Sequence, residues 1–171
     1  MPGGVEVIIL GIDPGIAIVG WGVLSCENGR MTPLGYGSIQ TEAGLKVEER
    51  LCRIHKTLTD IIHHFKPDVL SVEELFWNTN QKTGIVVAEA RGVILLTARE
   101  EGVPVFEYTP LQVKQAIVGY GRAEKRQVIA MVTAVLNLKK PPKPDDTADA
   151  LALAICHGHC AASKLGRFFN S

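Results

Sequence analysis

Strand-like and helix-like segments follow one another along this chain in the order βββαβαβ and then only helices, and that order limits the fold most. Residues 5–12 are a short apolar run that ends at Asp13-Pro14-Gly15, a strand running into a turn. Residues 19–24 and 34–40 read as the next strands, with Asn28-Gly29, a favoured hairpin turn, between them. Val47, Leu51, Ile54, Leu58, Ile61, Ile62 and Phe65 then recur at steps of three and four, the apolar stripe of an amphipathic helix closed by Pro67. A strand over 68–72 ends on Glu73-Glu74. A long helix over 81–101 stops at Gly102, and a fifth strand occupies 104–108. Helices over 110–118, 123–138 and 145–160 complete the pattern, the last two separated by a stiff Pro/Lys connector at 139–144. The order predicts an α/β fold: a mixed five-stranded sheet, three antiparallel strands and then parallel ones, flanked by helices on both faces. Ligand and catalytic sites in such sheets gather where strand ends open onto a crevice.

With 171 residues the chain has the size of one core, and no repeat or shift of composition marks a second domain. Residues 1–160 are expected to form that domain and 161–171 a flexible tail. A content of 46% hydrophobic and 21% charged residues excludes a disordered tail protein, a collagen-like repeat and a coiled coil. No uncharged apolar stretch approaches the ~18 residues of a membrane span. The amino end lacks a basic start and meets an acid too soon for a signal peptide, so a cytoplasmic protein with no membrane association is expected. The four cysteines are too few and too scattered for a disulfide framework. Net charge is +0, from 18 basic and 18 acidic residues, but the charge is unevenly placed. Residues 112–144 hold Lys114, Arg122, Lys125, Arg126, Lys139, Lys140 and Lys143 against Glu124 alone, a local +6 that suits an anionic polymer.

Four acidic positions point to chemistry. Asp13 follows directly on an apolar strand, where Asp is disfavoured, although a turn-forming Asp before Pro-Gly would explain it alone. Glu73 and Glu74 end a strand whose side chains alternate, so only one can share the crevice that Asp13 reaches; spacing alone does not say which. Asp145 and Asp146 suit the first turn of a helix, where an acid is worth roughly 1 kcal/mol. Asp149 lies too far in to act as a cap. It stands among Ala148, Ala150, Leu151, Ala152, Leu153, Ala154 and Ile155, where a carboxylate is costly unless a cation or donors offset it. Asp146 and Asp149, three apart, share a helix face. Asp13, one Glu of the pair, Asp146 and Asp149 thus make an all-oxygen set that selects hard cations such as Mg²⁺ or Mn²⁺. Two such ions can clamp the oxygens of an in-line phosphoryl displacement. With the basic stretch to hold phosphates, the residues read as a metal-dependent phosphodiesterase acting on nucleic acid.

Gly-Ile-Asp-Pro-Gly (11–15), Val-Glu-Glu-Leu-Phe (72–76), Ala-Arg-Gly-Val (90–93), Val-Phe-Glu-Tyr (105–108), Gln-Val-Lys-Gln (112–115), Ala-Glu-Lys (123–125) and Asp-Thr-Ala-Asp-Ala-Leu-Ala (146–152) together resemble the RuvC family of Holliday junction resolvases, in order and spacing over roughly residues 5–160. The resemblance implies an RNase H-like fold. It also implies a homodimer that binds a four-way DNA junction and resolves it, in recombination and repair, by paired symmetric nicks. Its catalytic, metal-holding carboxylates fall on Asp13, Glu73, Asp146 and Asp149, which favours Glu73 over Glu74, and two Mg²⁺ ions per site are implied, with Mn²⁺ as a substitute. Some relatives carry His at the position of Asp146. The family's aromatic residue that stacks at the crossover falls on Phe76, for which core packing is the plainer use; Trp77 follows it directly. DNA-contacting lysines fall on Lys114 and Lys125, with Arg126 assisting. The helix over 81–101 matches the family's dimer-contact helix, and its apolar residues exceed one stripe. The RuvAB branch-migration complex is implied as a partner.

Cys156-His157-Gly158-His159-Cys160 offers too few ligands for a closed zinc site, so reduced cysteines and helix-end histidines are expected. Three rival functions are weighed. A sugar kinase or actin-like ATPase would share the Gly-Ile-Asp-Pro-Gly opening but needs two such domains. A junction-binding module would have no use for carboxylates that repel DNA. Another RNase H-like nuclease, acting on hybrids or flaps, would differ only in substrate.

Overall fold

The computed structural model describes residues 3–75 and 81–169, with side chains except those of 81 and 164–169. Within them the order is β1 (Val7–Asp13), β2 (Ile18–Glu27), β3 (Arg30–Gln40), α1 (Val47–Phe65), β4 (Val69–Glu73), α2 (Gln81–Glu100), β5 (Val105–Tyr108), α3 (Pro110–Val118), α4 (Lys125–Val135) and α5 (Asp145–Phe169). The strands lie in the order β3-β2-β1-β4-β5. β1, β2 and β3 pair antiparallel, whereas β4 runs parallel to both β1 and β5. This is the mixed sheet that the element order predicts.

Alternation along the strands sorts the core into two layers. Leu10, Ile12, Val19, Val23, Leu70 and Val72 point one way, onto Ile54 and Leu58 of α1 and Ala90, Ile94 and Ala98 of α2. Ile9 and Leu24 point the other way, onto Val128 and Val132 of α4 and Leu151, Ala154 and Ile155 of α5. Helices therefore cover both faces, as expected. Among the described residues no helix is long and apolar enough to cross a membrane.

Differences from the sequence reading lie at element ends. α4 spans Lys125–Val135 rather than 123–138. Gln127 Oε1 accepts from the Glu124 amide at 2.7 Å to mark its start, and Asn137, at φ 52°, turns the chain out of the helix after its end. α5 continues beyond residue 160, through the segment expected to be a tail, as far as Phe169. That segment contains no proline to stop it. At the close of α2, Gly102 adopts φ 70° while the Val103 amide reaches back to the Ala98 carbonyl at 2.8 Å, so the sequence reading of this stop holds.

Candidate active site

Two strand ends and one helix build the site. Asp13 is the last residue of β1 and Glu73 the last of β4, each one step beyond the paired Ile12 and Val72 of these parallel neighbours. Val69 packs in the layer beneath α5, and Ser71 Oγ donates to the Leu153 carbonyl of α5 at 2.7 Å. By alternation Glu73 faces α5 too, as Asp13 does in line with Ile9 and Gly11. Glu74 is exposed, and its amide donates to the Tyr108 carbonyl at 2.8 Å. The strand parity that spacing left open therefore turns Glu73 inward.

α5 reaches these strand ends because β1 and β2 present glycine to it. A methyl group on Gly20, the residue paired with Asp13, would run into the backbone of Asp146 and Thr147. One on Gly11 would meet the backbone of Ala150 and Ala154. Only without Cβ atoms here can the helix backbone lie against the sheet. Thr147 Oγ1 pins the first turn by donating to the Gly37 carbonyl at 3.0 Å. These two hydroxyls, Ser71 and Thr147, escaped the sequence reading; Ser71 carries a signal, a polar residue inside an apolar strand that must find an acceptor, whereas Thr147 among acidic neighbours carries none.

The result is a set of mutually repelling acids. Burial pushes the Asp13 carboxyl from its ordinary 3.8 up to about 8, helped by the charges of Asp149, Asp146 and Glu73 and a hydrogen bond shared with Asp146. Burial also raises Glu73, as does Asp149, while Lys114 and Lys125 pull it back. Asp149 is raised chiefly by burial against the opposing pull of Lys125, whose Nζ lies 3.1 Å from its Oδ2. The bond to Asp149 and the charges of Asp149, Asp145 and Asp13 outweigh burial at Lys125 and hold its ammonium above the ordinary value. Asp145 stays at the rim, 3.7 Å from the exposed Lys143 ammonium.

Between α3, α4 and α5 opens a cavity of about 280 Å³. Glu73, Asp149, Lys114 and Lys125 stand at its polar side, over a floor of Pro110, Val113, Val128, Ala152 and Leu153. Arg126 is not brought in; its guanidinium pairs with Glu124 at 3.0 Å on the exposed surface. Phe76 and Trp77 lie outside the described residues. The histidines of the Cys/His segment have partners, His157 Nδ1 with the Tyr108 hydroxyl at 2.7 Å and His159 Nδ1 with the Ala116 carbonyl at 3.1 Å.

Oxygen donors alone make up the acidic set, and they fit a hard divalent cation rather than zinc. A carboxyl held at about 8 by burial and, after it, by like-charged neighbours is the mark of a group that a cation would stabilise in ionised form. Among the described residues no three potential ligands close into a finished cage; Asp149 is instead turned to Lys125, whose ammonium occupies part of the electrostatic role.

The sequence model of the family described as "Crossover junction endodeoxyribonuclease RuvC" matches residues 9–157. The crossover junction endodeoxyribonuclease RuvC of Caldanaerobacter subterraneus subsp. tengcongensis is 56% identical over 151 residues, which cover 88% of this chain and 92% of that protein. Among solved structures, Thermus thermophilus RuvC is 38% identical with a TM-score of 0.85, over 92% of this chain and 96% of the other. T. thermophilus RuvC in complex with Holliday junction substrate gives a TM-score of 0.86 at 38% identity, over 91% and 94% of the two chains.

Proposed function

From the crossover junction endodeoxyribonuclease RuvC family, to which this chain belongs, we infer how the acidic crevice works. The chain is a DNA endonuclease that resolves four-way (Holliday) junctions in recombination and repair, and its RNase H-like fold is that of the RuvC structures. This sets aside the two-domain ATPase and the non-enzymatic module.

Asp13, Glu73, Asp146 and Asp149 would hold two divalent cations, Mg²⁺ or, in its place, Mn²⁺. When bound, those ions supply charge neutralisation at the scissile phosphate and make a water a better nucleophile. Asp13 and Glu73, on neighbouring strand ends of one rigid sheet, keep their carboxylates at a fixed spacing. Asp146 and Asp149 complete the set from the start of α5. Lys125 neutralises Asp149 here and would be the cation that takes a phosphate oxygen of bound DNA. Lys114 stands beside Glu73 on the cavity wall and contributes a second cation to the backbone. An apolar floor of Pro110, Val113, Val128, Ala152 and Leu153 lies under both lysines. Arg126 on the exposed surface and Phe76 are assigned to the more distant DNA arms and to the crossover itself. A homodimer presents two such sites for paired, symmetric nicks, acting in the cytoplasm with the RuvAB complex as its branch-migration partner. Residues 1–160 form the single nuclease domain, within which the family match at residues 9–157 falls.

The observation that carries the metal-dependent reading is Asp13, half-buried at the end of β1 beside the charges of three other carboxylates, with its acid raised to about 8. The test is cleavage of a synthetic four-way junction beside a linear duplex of the same sequence, with Mg²⁺, with Mn²⁺ and with chelator. Paired nicks in the junction alone, and with metal alone, are expected. A junction nicked equally well in chelator would overturn the metal assignment.

A further inference from the structure

Arg91 sits on α2, on the side of the sheet opposite the acidic crevice, with only 13% of its side chain exposed. Its Nε donates to the main-chain carbonyl of Glu73 at 3.4 Å. Its Nη2 meets Glu107 Oε1 of β5 at 2.5 Å. In the parallel ladder Val72 pairs with Glu107 and Glu73 with Tyr108. One guanidinium therefore ties together the last residue of β4, the strand beside it and the helix behind both.

The grip comes from the back. Phe106 and Tyr108 contact His157 of α5, so Glu107, between them, faces α2, just as the Glu73 side chain faces α5 and leaves its carbonyl accessible to Arg91. The cations that lower the Glu73 carboxyl are Lys114 and Lys125; Arg91 reaches the residue through its backbone instead. A largely buried guanidinium is costly to desolvate, and an apolar side chain would fill this space at least as well for stability alone. Its bonding fits a device for geometry. Arginine can hold two acceptors in fixed directions, which lysine cannot.

We propose that Arg91 is a positioning residue that, braced by Glu107, fixes the end of β4 so that the Glu73 carboxylate is presented to the divalent cation. The inference rests on the reading of Glu73 as a member of the acidic site.

The test compares Arg91→Ala, Arg91→Lys, Glu107→Gln and Glu73→Gln in the full-length chain. Two quantities are measured: kcat and KM on a synthetic four-way junction across a Mg²⁺ series, and the Mg²⁺-induced rise in unfolding temperature without DNA. Arg91→Ala is expected to lower kcat about 10–100-fold and to need about tenfold more Mg²⁺ in both assays, with KM little changed. Arg91→Lys should recover part of this, and Glu107→Gln should lose less than Arg91→Ala. Wild-type kcat and Mg²⁺ response in Arg91→Ala would overturn the proposal. So would a loss that tracks a lower unfolding temperature without metal and is accompanied by an equal rise in KM. If Arg91→Ala does not fold, wild-type behaviour in both Arg91→Lys and Glu107→Gln would overturn it. An active Glu73→Gln enzyme would instead sink the site reading itself, which separates the two failures.

Discussion

Replacing Asp13 by Asn should make the metal-free protein more stable, and more so as pH rises. The sign follows from the direction of the shift. An acid whose folded value lies above its unfolded value binds its proton more tightly in the folded chain, so ionising it costs folding free energy. That cost is absent below about pH 4 and grows until about pH 8, the interval between 3.8 and the raised value. At 1.36 kcal/mol per pKa unit, the displacement is worth up to about 4 kcal/mol at pH 7. Neighbouring carboxylates that turn toward water or take up a proton relieve part of it, and about 2 kcal/mol is the working figure. For a chain of this length that corresponds to a rise of about 4–8 °C in the unfolding midpoint. Asn keeps the shape and the hydrogen-bonding ability of the neutral acid while removing the charge. The assay is thermal unfolding in chelator from pH 5 to pH 8, at one protein concentration because a dimer would otherwise shift the midpoint. Mg²⁺ should then reverse the order, since a cation at about 100 times its dissociation constant stabilises the wild type by about 2.7 kcal/mol and has lost a ligand in the variant. Coincident midpoints for Asp13→Asn and wild type at pH 8 in chelator would refute the account of Asp13 as an acid strained by burial and repulsion.

Asp149→Asn should abolish junction cutting while leaving junction binding intact or tighter, because it removes a charge that repels phosphate; an active variant in a nicking assay would break the metal assignment. Gly20→Ala should lower the unfolding midpoint by about 3–10 °C, since a methyl there meets the Asp146 backbone and such overpacking costs about 1–3 kcal/mol. Gly22→Ala, whose close contacts are with the Leu151 side chain rather than with backbone, should cost less, and equal losses in the two melts would argue against close seating of α5. Phe76→Ala should slow cutting of intact junctions more than of junctions already unpaired at the centre; equal loss on both would mark a packing residue.

Periodicity carried the architecture because each element buries one well-defined face. The stripe of α1 gives both its bounds, Val47–Phe65, and its buried residues Ile54, Leu58, Ile61 and Ile62. Asp149 stood out for the same reason in reverse: it interrupts a helix whose neighbours are buried, and an uncompensated charge there is too costly to be incidental. What periodicity could not supply was parity and depth. Whether Glu73 or Glu74 faces Asp13 depends on which face of β4 meets α5, a tertiary fact read from Val69 and Ser71.

How near α5 lies to the sheet is written in Gly11 and Gly20, yet a glycine in a strand signals equally a bulge, a weak strand or a close approach. Only the helix above it decides. Two adjacent cations of the basic stretch diverge for a similar reason. Lys125 begins α4 facing Asp149, whereas Arg126, one residue on and about 100° around the helix, is carried out to Glu124 at the surface. A run of positive charge in sequence is thus split by helical geometry into one cation that pairs with Asp149 and one that pairs with Glu124 on the exposed surface.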